Sequence, residues 1–418
     1  MTAEFGQSLQ VTRNMGLLTV AGPILHGRNH RLLAGIHQAV QAGFDELTFD
    51  FRQVTAGSPG GMTQICVQAL ALRNAGISIH LQLPERSDIQ RLFLNANWAN
   101  LIDPRNYDPR EHISRLKMPA TQYHSPAEQH RVVDRVLDAV LSTISDMGRS
   151  EISALEWSLN EITDNVLVHA QSKVGGVLQV TRYRQRIAFA VADPGIGIPA
   201  SLRSGHTEIR SDSEALERAI REGVTRDKSV GQGNGLFGTF SICQKGEGRL
   251  YIHAGYATLE YDPKNQLHIR SQQIPYNGSL VVCELDFSKP GLLRDALRIG
   301  GEPWRPVDFI ETRYEGAEGT PTRFTIASEA ASFGSRAAGE PVRRKLLNIA
   351  RITGAPKIQL DFSGIPLVSS SFADELIGKL FAELGPIEFM RRFEVVNIEP
   401  TVRALVDKAI AQRMRTGL

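Results

Sequence analysis

Three segments, met in a fixed order, most constrain what this chain can fold into: Glu161-Ile-Thr-Asp-Asn165-Val-Leu-Val-His169-Ala170, then Asp193-Pro-Gly195-Ile-Gly197-Ile, then Gly231-Gln-Gly233-Asn-Gly235-Leu236. In the first, Glu161, Asn165 and His169 recur every fourth residue and so share one stripe of a helix. Leu155, Leu159, Ile162 and Val166 form an apolar stripe that would pack on a sheet. In the second, the mostly apolar run 187–192 reads as a strand ending on Asp193, which puts that carboxylate at the sheet edge. In the third, glycines feed the helical run that opens at Gly235 and Leu236. Helix, strand end and glycine loop in this order require a layered α/β arrangement.

The side chains of these segments have a shared chemical use. Glycines leading into a helix N-terminus present N–H groups and a positive dipole end, which suits phosphate oxygens. Lys228, with Arg226 and Ser229 beside it, can add charge or hydrogen bonds to the same oxygens. The amide oxygen of Asn165 is a hard ligand for Mg2+, an ion that takes much of its shell from water and phosphate. Glu161, one turn earlier, is placed to take a proton from water or an incoming hydroxyl as a general base. Asp193 can accept from the exocyclic amine of adenine, while Gly195 and Gly197 let backbone approach the ring. Taken singly, each has a plain structural explanation: a solvated helix face, an Asp-Pro-Gly turn, a flexible loop. Together they read as one pocket for ATP with Mg2+.

The rest of the sequence sets bounds. The 418 residues, 42% hydrophobic and 22% charged, are those of an ordinary multidomain globular chain. A formal charge of +2 gives no electrostatic case for broad nucleic-acid or membrane binding. Cys66, Cys243 and Cys283 lie far apart without a CxxC pair, so neither a zinc site nor a disulfide framework is expected. No basic stretch followed by an apolar one opens the chain, and no run is apolar enough to span a bilayer. The expectation is a cytoplasmic protein with no membrane contact.

The fold class expected is α/β and α+β multidomain. Residues 1–104 alternate strand-like and helical runs as a small α/β module, and 105–125, rich in Pro, Asp and Arg and without periodicity, reads as a linker. Residues 126–288 carry two helices, a hairpin, a polar stretch and further strands near 250–253, 258–261 and 280–285. A second linker, 289–311, leads to a C-terminal α/β module, 312–418. Asp50-Phe51 in the first module matches Asp361-Phe362 in the last, a weak internal repeat.

The three segments resemble the N box and the two glycine boxes of the gyrase, histidine-kinase and mismatch-repair ATP-binding superfamily, GHKL. Gly278-Ser279 resembles the further Gly-Thr element of that fold. The resemblance covers 126–288 and implies a GHKL-type α/β sandwich. It also implies an ATP lid over 199–230, adenine at Asp193 and metal at Asn165. A His-Glu-x-x-Pro phosphoacceptor helix is missing, since His124 and His130 lack that context, which argues against a conventional sensor histidine kinase.

Asp361-Phe-Ser-Gly-Ile-Pro-Leu-Val-Ser369-Ser370-Ser371-Phe resembles the strand, turn and helix of STAS-like domains, and Asp50-Phe-Arg-Gln-Val-Thr-Ala-Gly-Ser58 does so more loosely. The implied architecture is a central ATP-binding domain between two STAS-like modules, of the anti-sigma-factor-kinase type. Ser58 and Ser371 read as helix caps in preference to phosphorylation sites. The implied function is a signalling regulator that hydrolyses ATP or transfers its γ-phosphoryl to a Ser or Thr, with protein partners engaged through the STAS-like modules. A non-catalytic ATP-gated switch is the alternative, and a DNA-processing ATPase is less favoured. Kinase against ATPase, the partner, and monomer against homodimer stay open.

Overall fold

The structure is a computed structural model that describes residues 8–415 apart from 112–115, 146, 185, 222, 225–234, 265, 287–297, 300–301, 304–307, 316–320 and 354–356. The chain is a mixed α/β multidomain protein with several sheets. It divides into two compact units, residues 1–136 with 157–304, and residues 137–156 with 305–418.

The first unit begins with β1 (Gln10–Asn14), β2 (Leu17–Ile24), α1 (His30–Gln41), β3 (Glu46–Gly57), α2 (Pro59–Asn74) and β4 (Ser78–Gln82). The four strands form one sheet in the order β1-β2-β3-β4, parallel from β2 onward. Short helices α3 (Ser87–Asn95) and α4 (Trp98–Ile102) lead to β5 (Lys117–Tyr123). Then come α5 (Pro126–Thr143) and α6 (Arg149–His169), of which residues 137–143 and 149–156 belong to the second unit, and β6 (Gly176–Tyr183), β7 (Arg186–Asp193), α7 (Gly197–Arg203), α8 (Asp212–Ala219), α9 (Gly235–Lys245), β8 (Arg249–Asp262) and β9 (Gln266–Asp286). Strands β5-β6-β7-β9-β8 make a five-stranded antiparallel sheet.

Helix α2 is buried on nearly every side because it lies between these two sheets. Its opening glycines let it approach both: a Cβ on Gly60 would sit 2.6 Å from Val282 of β9, and one on Gly61 2.8 Å from the carbonyl oxygen of Ile24 in β2. One apolar core therefore joins Leu18, Phe49 and Phe51 of the first sheet to Val177, Ala192, Leu280 and Val282 of the second. Polar groups pin the junction, Trp98 Nε1 donating to Gln179 Oε1 at 2.8 Å and Asn97 Nδ2 to the carbonyl of Ala120 at 2.9 Å.

Alternation assigns the two faces of the five-stranded sheet. Val177, Ala190, Ala192, Leu280 and Val282 point toward α2. The other face meets α6, where a Cβ on Gly176 would touch Val166, and α9, where Cys243 Sγ lies 3.1 Å from Cys283 Sγ of β9. Both cysteines are free thiols, brought together from positions whose spacing carries no signal.

Two expectations change here. Residues 105–125 are not all linker: β5 pairs with β6, and its Met118 and Ala120 are buried. Most of the Pro, Asp and Arg residues that suggested a linker precede the strand, with Pro119 inside it. The strands expected near 250–253, 258–261 and 280–285 are parts of one long hairpin, β8 and β9, with a register shift at Gly255. The first half of β9 is mostly exposed, and its alternation, Leu267 and Ile269 among polar residues, stops after Arg270, too short to mark a half-buried strand.

The first unit ends with the short strands β10 (Arg298–Ile299) and β11 (Glu302–Pro303); the second holds α10 (Phe309–Tyr314), β12 (Thr322–Thr325), α11 (Ile326–Glu329), α12 (Arg336–Ile352) and β13 (Ile358–Asp361). Helix α13 (Ser370–Ala373) runs through a π-helical turn, Asp374–Gly378, into α14 (Lys379–Leu384), followed by α15 (Pro386–Arg392), β14 (Phe393–Val396) and α16 (Pro400–Arg415). Strands β12-β13-β14 form a parallel sheet. Residues 137–156 join this unit through buried polar contacts. Asn348 Nδ2 donates to the carbonyls of Leu141 and Ile144 at 2.7 and 2.6 Å, and Arg149 forks onto Asp308 at 2.8 and 3.0 Å. β12 ends at Thr325, where α11 begins. The cap of α13 is Ser369, whose hydroxyl accepts from Phe372 N at 3.0 Å, and not Ser371, which already lies inside the helix.

Candidate functional site

Helix α6 organises the candidate residues, all within the first unit. Within the first unit its apolar stripe is buried, Leu159 fully, Ile162 and Val166 nearly so. That leaves Glu161, Asn165 and His169 half-buried on another stripe. At Glu161 the helix touches the start of α9: a Cβ on Gly235 would collide with the Glu161 carboxylate. At its end, Ala170 accepts from Ile196 N at 2.9 Å, and a Cβ on Gly195 would collide with the same carbonyl. The two contacts are nine residues apart on α6, roughly 13 Å at the helical rise. The segment after β7 and the opening of α9 therefore flank one polar helix stripe.

Asp193 lies at the carboxyl end of the central strand of its sheet, not at an edge, and is 3% exposed. Its Oδ1 accepts from Gly195 N at 2.8 Å, its strand partner is Ser279, and Tyr276 Oη donates to its backbone carbonyl at 3.1 Å. Burial pushes its pKa up to about 7 against the lowering effect of hydrogen bonds from Gly195 and Ser279. Burial, with the nearby Asp164 charge, likewise pushes Glu161 up to about 7. A carboxyl with that pKa exchanges protons near neutrality, which general-base chemistry requires.

Gly197 stands at the start of α7 with φ +78°, a conformation glycine permits. Leu236 is buried in the first turn of α9. Lys228, Gly231 and Gly233 lie outside the described residues, as does most of the end of the expected lid. Within 199–221, α7 and α8 pack on β8 and β9, and Asp212 accepts from Tyr256 N at 2.6 Å. Two groups that hold the site were not among the candidates: Tyr276, and Trp157, whose ring packs where Gly238 has no side chain. An aromatic at a core position carries no sequence sign of the polar group it will support.

Among the described residues, no group of three or more His, Cys, Asp and Glu is placed to hold a metal ion. An ion at Asn165 would thus need phosphate and water for most of its shell, as Mg2+ commonly does. No helix among the described residues is long and apolar enough to cross a membrane.

Residues 338–403 match a known family, the STAS-like domain of unknown function (DUF4325). The match runs from α12 through β13, α13 to α15 and β14 into α16. No curated protein matches the chain in sequence. A solved structure described as full-length ShkA in complex with AMPPNP aligns over 84% of this chain and 69% of its own, at 15% identity and a TM-score of 0.22. A likeness of that size carries no argument.

Proposed function

We propose that the first unit binds Mg-ATP along the polar stripe of α6 and that the protein is a signalling regulator of GHKL type. In this reading it hydrolyses the nucleotide or transfers its γ-phosphoryl to a Ser or Thr, acting on or through STAS-like modules. The observation that supports this reading best is that α6 touches both glycine segments, Gly235 beside Glu161 and Gly195 beside Ala170. Asp193 would hold the adenine amine, Gly195 and Gly197 would border the ring, and Gly235 and Leu236 would present the helix N-terminus to phosphate. Gly231, Gly233 and Lys228 would complete that loop. Mg2+, held by Asn165, supplies charge neutralisation at the phosphates when bound. Glu161, kept close to neutrality in pKa, would take the proton of the attacking hydroxyl or water.

Calorimetry of the full chain with ATP and Mg2+ tests binding, and the expected result is a saturable heat lost in Asp193→Ala. No heat from well-folded protein overturns the reading. With γ-labelled ATP, label on protein identifies a kinase and free phosphate an ATPase. Binding with neither product overturns the enzymatic part and leaves an ATP-gated interaction switch.

A further inference from the structure

On the other face of the five-stranded sheet, a pocket of about 70 Å³ opens between the loop after β2 and the β8–β9 hairpin. Tyr251 and His253 of β8 pair with Val282 and Leu280 of β9, so they share the face that meets α2 and point away from the face of α6 and α9. They are deeply buried, 8% and 4% exposed, as are Asn29 and Thr258 in the same lining, whereas His30, Glu260, His268 and Arg270 are exposed.

A chain of amides fixes the state of His253. Asn29 Nδ2 donates to the backbone carbonyl of Gly61 at 3.3 Å, which orients that amide. The same nitrogen donates to Gln64 Oε1 at 2.9 Å, so Gln64 turns its Nε2 to His253 Nδ1, 3.0 Å away. Nδ1 is then an acceptor, and the neutral ring carries its proton on Nε2. Burial keeps the ring neutral, lowering its pKa to about 4, with His30 adding to the effect. His253 Nε2 and Tyr251 Oη are nevertheless buried without any hydrogen-bond partner. An unsatisfied buried donor costs about 1–3 kcal/mol, so two in one small pocket call for a partner.

That partner must accept hydrogen bonds. With Nδ1 occupied and Nε2 protonated, His253 has no lone pair for a metal ion. Arg270 makes no ion pair among the described residues, while Glu260 stands opposite His268 in the hairpin register. We propose that this pocket binds a small oxyanion, a carboxylate or a phosphate, held by His253 Nε2 and Tyr251 Oη at its buried end and by the Arg270 guanidinium at its rim. The site is separate from the α6 stripe and does not depend on the nucleotide reading.

Histidine side-chain NMR of the full chain, titrated with acetate and in a second arm with inorganic phosphate at constant ionic strength, tests it. The expected result is a saturable shift of the His253 Nε2–H signal, weakened about tenfold or more in Arg270→Gln and in Tyr251→Phe, as for loss of a charged or buried hydrogen bond. Arg270 is exposed, so its variant keeps the test decisive should the buried one fail to fold. Response in one arm alone assigns the ligand as carboxylate or phosphate. No saturable shift in either arm means the donors are met by water only and overturns the proposal. A phosphate response lost in Asn165→Ala but kept in Arg270→Gln overturns it as well, because the anion then sits on α6.

Discussion

On the face of the five-stranded sheet that carries α6 and α9, burial acts on carboxyl groups, Glu161 and Asp193; on the face turned to α2 it acts on imidazoles, His253 and His26. The physical cause is the same, loss of water around a charge, yet the carboxyls are pushed up and the imidazoles down. The neutral forms differ in use. A carboxyl with a pKa near 7 can both give and take a proton, whereas an imidazole kept neutral by burial, with its tautomer set by Gln64, is a fixed hydrogen-bond donor. One face is thus suited to moving protons and the other to holding a ligand still.

The largest effect expected on this contrast is from Glu161→Gln. If the α6 face moves protons, turnover of labelled ATP should fall by about 10²–10⁴-fold, the usual contribution of a general base, while calorimetric affinity for Mg-ATP stays within a few fold. Arg270→Gln, on the opposite face, should leave both unchanged. Equal turnover in Glu161→Gln and the parent would remove the chemical distinction between the faces.

Glycine substitutions sharpen the same contrast on stability. A Cβ at Gly195 meets a backbone carbonyl, that of Ala170, which cannot swing aside; one at Gly235 meets the end of the Glu161 side chain, which can. Gly195→Ala should therefore lose about 2–3 kcal/mol in denaturant unfolding, the upper part of the overpacking range. Gly235→Ala should lose about 1 kcal/mol or less and show its effect in turnover, through a displaced Glu161. The reverse order would mean that the α6 carboxylate is held rigidly by contacts other than this one.

The pH dependence of stability separates the faces by sign. Between its ordinary value of 3.8 and its folded value of about 7, Asp193 binds more proton in the folded chain than in the unfolded one, so its contribution to stability falls as pH rises through that window. Between about 4 and 6.5 the unfolded chain protonates His253 while the folded one does not, so its contribution rises with pH. In thermal melts from pH 4 to 7 without nucleotide, Asp193→Asn should make the slope of Tm against pH more positive, and His253→Gln should make it more negative. Slopes that shift in the same direction in both variants would falsify the opposition.

Much of this arrangement is legible in the residues. The stripe of α6, the strand ending on Asp193 and the helix after Gly235 follow from period and glycine placement, because those patterns are local. The junction of the two sheets is not legible. The apolar spacing of α2 predicts one buried face and names no second partner, whereas Gly60 and Gly61 contact Val282 and Ile24 and Gln64 bonds His253, so the helix is shared. β5 hides behind a polar turn, and the alternation at the start of β9, Leu267 and Ile269, ends too soon to stand out. The pocket at His253 depends on residues from positions 29, 64, 251 and 270, joined by tertiary hydrogen bonds that no spacing encodes. Likewise the pair Cys243 and Cys283 meets only because α9 folds back on β9.

The smallest effect concerns how α2 is held against its face of the sheet. Ser58 Oγ accepts from Gly61 N at 3.2 Å and from His26 N at 3.3 Å, so it caps α2 and ties the helix to the loop after β2 at once. Ser58→Ala should cost about 1 kcal/mol, the usual value of a lost cap, read as a lower denaturant midpoint with unchanged m-value. Since α2 supports the sheet from the side away from α6, Mg-ATP affinity should be unaffected. Anion binding at His253 should weaken slightly, because Gln64 and the loop carrying His30 are positioned by the same helix and turn. A change in nucleotide affinity with no change at His253 would show that the two faces are coupled through α2 instead of insulated by it.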